Sequence, residues 1–252
     1  MKKIKLVGKH LLGEIPAAFG RFGALVDLDL SFNRITRVPA RLGQLTALHS
    51  LHLAGNMLTA LPAAIAKLST LTTLNLNGNR LKALPPEIGL LAALEVLRLD
   101  ENTLTSIPAA IGKLSALTTL NLNGNRLKAL PSEIGTLASL KVLRLEGNNL
   151  PALPAEIGRL SALAFLDVGK NKLTALPDEI GDLASLGELW LNGNWLTRAP
   201  PTLGRLTALT KLSLENNSLE FVPAELGQIA GLQRLYLDSN RLTSVPAVNP
   251  KP

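Results

Sequence analysis

Three histidines, His10, His49 and His52, are the only imidazoles in this 252-residue chain, and no cysteine accompanies them. His49 and His52 stand three apart, a spacing that can seat a divalent ion only when both rings face one way and a third donor joins them. No third donor lies at a companion spacing, so the two read as surface histidines. The missing thiols exclude disulfides, thiolate zinc, iron–sulfur clusters and cysteine nucleophiles. No Gly-x-Ser-x-Gly turn presents a serine. Gly-Lys at 8–9, 112–113 and 169–170 lacks the glycine spacing or following hydroxyl of a phosphate loop. Glu87, Glu133, Glu156, Glu179 and Glu225 recur at one place in a repeat, which describes a solvated face rather than an acid–base pair. The sequence therefore predicts no enzyme, no cofactor and no metal site.

The chemistry that remains is recognition. Only eight residues in the chain are aromatic, five Phe, two Trp and one Tyr. Phe165, Trp190, Trp195 and Tyr236 fall in one stretch, interleaved with Arg144, Asp167 and Arg234. Trp, Tyr and Arg are the side chains that most often dominate binding energy at protein interfaces.

The elements that must position these residues follow from a strict period. Asparagine recurs at Asn33, Asn56, Asn79, Asn102, Asn125, Asn148, Asn171, Asn194, Asn217 and Asn240, every 23 residues without insertion or deletion. Proline keeps the same period from Pro16 to Pro246. The unit around Asn125 shows the rule: Leu114, Leu117, Leu120, Leu122, Asn125, Leu127, Leu130, Pro131, Ile134 and Gly135. A period of this length marks a solenoid, whose units bury their apolar faces against neighbouring units. In Leu120-Asn121-Leu122 two leucines flank a polar residue, the pattern of a short strand with its apolar side inward. The asparagine amide has donors and acceptors enough to join the backbones of adjacent coils as a ladder. Proline leaves the sheet because it cannot donate to it. The I-G-x-L segment after it makes a short helical turn, with the glycine there allowing a tight bend and Ala66 the one exception.

The pattern L-x-x-L-x-L-x-x-N-x-L-x-x-L-P-x-x-I-G resembles the leucine-rich repeat family, and its 23-residue length resembles the intracellular Ras-group type, with its Ras-group-related, Ras-suppressor and Ras–Raf scaffold members. The resemblance implies an α/β solenoid: a curved right-handed coil with a parallel concave sheet of about eleven short strands, and prolines and short helical turns on the convex side. It also implies protein binding, with signalling scaffolds as the known examples. The phosphatase-docking motif of that scaffold class is absent, since Arg37-Val38-Pro39-Ala40 lacks the aromatic.

The whole chain, 1–252, reads as a single repeat domain. Residues 1–22 form a degenerate first repeat, 23–246 the regular repeats and 247–252 a tail. With the period held at 23, His10 replaces the asparagine, Lys5 replaces a strand leucine, and Leu6 occupies the exposed strand position. Lys5 and His10 are then partial caps. The end, Asn249-Pro250-Lys251-Pro252, shows no cap, which points either to a piece of a longer protein or to an end that pairs with another chain. Residues 64–99 and 110–145 agree at 30 of 36 positions, so two-repeat blocks look duplicated.

Function in such an array lives where the repeats differ. On this register the exposed strand position carries Leu6, Asp29, His52, Asn75, Arg98, Asn121, Arg144, Asp167, Trp190, Ser213 and Tyr236. His52 belongs to it, whereas His49 falls in the preceding turn. Phe165, Glu188 and Arg234 lie two residues earlier, and Trp195 and Arg241 just after asparagine. We read Phe165, Asp167, Trp190, Trp195, Tyr236, Arg98, Arg144 and Arg234 as a partner-binding surface; the competing reading has the aromatics merely covering the sheet. Arg34, Arg80, Arg126 and Lys172 follow asparagine in every second repeat as a basic rim suited to an acidic edge. The competing reading is inheritance from the duplicated blocks.

The net charge of +7 does not by itself indicate nucleic acid. Asp100, Glu101, Glu146, Asp167, Glu188, Glu215 and Asp238 are interleaved on the same surface, which a phosphate-tracking groove would not tolerate. No apolar run is long enough for a membrane span. The opening MKKIKLVGKHLLG is a poor signal peptide, so Asn216-Asn217-Ser218 reads as an accidental sequon and the expected location is the cytoplasm. Three functions remain open: an interaction module or signalling scaffold; the recognition part of a larger effector, ubiquitin ligase or immune-type receptor; and a structural or designed array without a natural partner.

Overall fold

The computed structural model describes residues 2–243. The chain divides into two compact units, Met1–Arg126 and Leu127–Pro252. Pro246, the 247–252 tail, the uncapped end and the pairing proposed for it lie outside the described residues.

In the first unit, β1 (Lys3–Lys5), β3 (Asp27–Asp29), β5 (Ser50–His52), β6 (Thr73–Asn75), β7 (Val96–Arg98) and β8 (Thr119–Asn121) pair in parallel in that order. In the second, β9 (Val142–Arg144), β10 (Phe165–Asp167), β11 (Glu188–Trp190), β12 (Lys211–Ser213) and β13 (Arg234–Tyr236) do the same. This is a repeat solenoid with eleven short parallel strands and one 3-10 turn per coil, such as Ala109–Lys113 or Asp178–Asp182.

Each of these eleven strands is three residues long because only its middle residue points inward before the chain turns. Leu51, Leu74, Leu166 and Leu189 at that place are all 0% exposed. A proline opens each turn in an extended conformation, as Pro177 does at φ −67°, and its carbonyl accepts the first turn bond from Ile180 N–H at 3.1 Å. The isoleucine then enters the core at 0% exposed.

The asparagines tie coil to coil. Asn194 Nδ2 donates to Val168 O of the preceding coil and to Leu191 O of its own, both at 3.0 Å. Its Oδ1 accepts Leu173 N–H at 3.0 Å. Asn56, Asn79, Asn102, Asn125, Asn171, Asn217 and Asn240 repeat the same three partners in their own coils. These bonds satisfy buried carbonyls and amides that the short strands leave unpaired.

Two sequence expectations need correction. The turn glycines are not there for a bend. A Cβ on Gly181 would fall on the carbonyl oxygen of Thr202 in the next coil, so glycine permits close stacking of turns. The left-handed backbone lies elsewhere, at the residue before asparagine: Gly193 has φ 68°, and the non-glycine residues Phe32 and Lys170 take φ 57° and 50°.

The first repeat is also one residue longer than the fixed period allows. Ile4 aligns with Leu28 and Lys5 with Asp29, so Lys5, not Leu6, holds the exposed strand position. Lys9, rather than His10, stands 24 residues before Asn33, and Lys9 N–H and Leu11 N–H both donate to Asn33 Oδ1. The extra residue is absorbed before Pro16, where β2 (Leu12–Glu14) pairs with β4 (Arg34–Arg37) through an irregularity at Gly13/Glu14. This second, two-stranded sheet has no signature in the repeat. At the far end Leu235 is 39% exposed, against 0% for Leu212 at the same place, because no described coil covers it.

Candidate functional site

The strands of the second unit set their outward residues in two rows. Val142, Phe165, Glu188, Lys211 and Arg234 form the first; Arg144, Asp167, Trp190, Ser213 and Tyr236 form the second. Neighbouring strands lie ~4.8 Å apart, so residues two strands apart start roughly 10 Å from each other. Trp190 and Tyr236 are two strands apart, yet their rings stack with centroids 6.2 Å apart and an interplanar angle of 22°. Ser213 lies between them and is only 1% exposed. A small side chain there lets both rings lean inward and meet above it.

Charged groups hold the pair in place. Trp190 Nε1–H donates to Glu188 Oε2 at 3.2 Å, and Lys211 Nζ meets Glu188 Oε1 at 2.6 Å. The Lys211 bond holds the Glu188 carboxyl below its ordinary pKa. Arg144 places its guanidinium 4.8 Å from the Phe165 ring centroid, a cation–π contact. Asp167 behaves oppositely to Glu188. Burial pushes its carboxyl pKa up, although Gly169 N–H donates to it at 3.0 Å. Beyond the second row, Lys170 Nζ pairs with Glu146 Oε1 at 2.7 Å, and that bond keeps the amine above its usual value.

The structure thus brings together Phe165, Asp167, Trp190, Tyr236, Arg144 and Arg234. Trp195 does not join them. It follows Asn194 in the turn that leaves the sheet, is 57% exposed, and makes no ring contact among the described residues. Arg98 stands on β7 of the first unit, aligned with Asn75 and Asn121. Sequence reasoning missed Lys211 and the spacer role of Ser213. Lys211 occupies the column of Phe165, Glu188 and Arg234, so the 23-residue spacing already marked its place.

Arg34, Arg80 and Arg126 of the first unit, and Lys172 of the second, are all exposed. Their amides bond the preceding coil, as Arg80 N–H does to Leu58 O at 2.9 Å. Among the described residues none of the four makes an ion pair. His49 Nδ1 lies 2.8 Å from Ala47 O, while His52 ends β5. Among the described residues no three His, Asp or Glu side chains are grouped to hold a metal, and no helix is long and apolar enough to cross a membrane.

A family profile described as leucine-rich repeat region matches residues 40–123, 109–198 and 132–248. The chain belongs to the leucine-rich repeat proteins, a family of modules that generally bind other proteins. Among solved structures it is similar to a leucine-rich repeat protein of Leptospira interrogans, with 38% identity, TM-score 0.74, and coverage of 93% of this chain and 66% of that one. It is similar to a TDR receptor at 31% identity and TM-score 0.88, covering 96% of this chain and 44% of that one. It is also similar to the Arabidopsis receptor kinase HAESA, solved with the peptide hormone IDA and a co-receptor, at 29% identity and TM-score 0.79, covering 96% and 46%. The chain therefore spans less than two thirds of the length of these three. No curated protein sequence matches it.

Proposed function

We propose that this chain is a non-enzymatic protein-binding module, and that its partner docks on the open sheet face of β9–β13. The stacked Trp190–Tyr236 pair carries this reading. Two large aromatics are gathered over a serine and braced by Glu188 and Lys211, which is more organisation than covering a sheet requires. Rigid aromatics beside arginine supply most of the energy at protein interfaces. The exposed cations Arg34, Arg80 and Arg126 on the first unit favour an acidic edge, as Lys172 does on the second. The absence of cysteine suits a scaffold role in the reducing cytoplasm. A second reading, the recognition part of a larger receptor or effector, is favoured by the fraction of its solved relatives that the chain spans, and by a peptide hormone seated on one of them.

The test is comparative capture of proteins from native extract by wild type and by Trp190→Ala/Tyr236→Ala. The proposal expects a defined set of proteins bound by the wild type and lost from the variant, with matching circular dichroism spectra. An identical set on both baits overturns the assignment of the face.

A further inference from the structure

We infer that the Trp190–Tyr236 pair seats a cationic side chain, arginine or lysine, of the protein partner, with Asp167 and Glu215 receiving its charged head. This deepens the proposed function and rests on it.

The first observation concerns Asp167. Its carboxylate accepts the N–H two residues on, from Gly169 at 3.0 Å. Asn75 and Asn121, at the same place in their coils, accept the corresponding N–H from Asn77 at 3.2 Å and Asn123 at 3.1 Å with a neutral amide. The turn therefore needs an oxygen and not a charge. The charge of Asp167 is unfavourable where it sits, since burial raises its pKa. The charges of Arg144 and Lys170 lower that pKa by less than burial raises it. Arg144 lies over Phe165, and no ion pair within 4.0 Å joins Asp167 to any described residue.

The second observation is the arrangement around the rings. Asp167 aligns with Trp190 on one side. On the other, Glu215 reaches back to the spacer serine, with Ser213 Oγ 3.4 Å from its Oε2. Glu215 likewise has no ion-pair partner among the described residues. Glu188 is already matched by Lys211 and serves to orient the indole. Lys211 and Arg234 stand in the first row and Arg144 in the second, over Phe165, while Asp167 and Glu215, in and beyond the second row, have no ion pair within 4.0 Å among the described residues. An aromatic face attracts a cation through its quadrupole, and the two carboxylates add charge complementarity. A partner carboxylate placed there would meet two like charges.

The test uses the indole N–H resonance of Trp190 in full-length protein, assigned with Trp195→Phe. The probes are N-acetyl-arginine methylamide, its neutral citrulline counterpart and N-acetyl-glutamate methylamide. The inference expects a saturable shift with the arginine probe, and binding at least fivefold weaker for citrulline and for arginine on Asp167→Asn. That variant keeps the turn acceptor, so a melting curve at or above wild type accompanies it. Equal binding of arginine and citrulline, unchanged arginine binding by Asp167→Asn, or tighter binding of glutamate would each overturn it. If the double alanine variant still loses its captured proteins in that case, the docking face stands and only the cation seat fails.

Discussion

Trp190 and Tyr236 stack at 6.2 Å although a whole strand separates theirs, and they do so over the buried Ser213. The contact depends on what stands between them as much as on the rings. A bulky residue at 213 would fill the gap and drive the rings apart. Ser213→Leu is expected to lower stability by about 1–3 kcal/mol through overpacking, and to weaken the near-ultraviolet dichroism from the paired rings. An unchanged aromatic spectrum in a folded Ser213→Leu variant would contradict the spacer role.

The ladder gives a stability prediction. Asn194→Ala removes one of two donors from Val168 O and from Leu191 O, which keep Asn171 Nδ2 and Asn217 Nδ2, and leaves the buried Leu173 N–H without its partner. A buried amide left unpaired costs about 1–3 kcal/mol where water cannot reach it. A loss of about 1–3 kcal/mol in urea unfolding is expected. A value under about 0.5 kcal/mol would show that the ladder does not hold the coils together.

The turn glycines give another. Gly181→Ala sets a methyl against Thr202 O and is expected to destabilise by about 1–3 kcal/mol. A substitution that merely fills open space would instead be neutral or stabilising, so a raised melting temperature in Gly181→Ala would refute the close-stacking account.

The ladder, the strands and the turns were legible because one physical requirement repeats at every coil and each copy reports the same residue. The first coil was not, since its extra residue cannot be placed by a fixed period: Lys5 and Lys9 stand where Leu6 and His10 were expected. The glycine's purpose was hidden because Gly181 meets an atom of Thr202, a residue far along the chain. At the site, the rows were readable by spacing, and Lys211 belonged to a column already half read. What no column reveals is lean. Trp190 and Tyr236 meet only because Ser213 is small, and Trp195 leaves the group because the chain turns after Asn194.

The two perturbed carboxylates act on stability in opposite directions. Glu188 has a lowered folded pKa, so its contribution is present above the unfolded value and is lost as pH falls through the folded one. Asp167 has a raised folded pKa, so its native form takes up a proton first and its unfavourable charge disappears as pH falls. Asp167→Asn is therefore expected to raise the melting temperature near pH 7 and to lose that advantage near pH 3. The same gain at both pH values would show that charge is not the cause. Lys211→Met, which removes the partner of Glu188, is expected to flatten the fall in stability on the acid side.

Binding of a protein to the β9–β13 face through its aromatic pair is measured by titrating a captured partner against wild type and Trp190→Ala/Tyr236→Ala. At least a tenfold loss of affinity is expected for the double variant, in keeping with hot-spot losses of about 2 kcal/mol or more, with the fold retained by circular dichroism. Equal affinity of both proteins for the partner would contradict it.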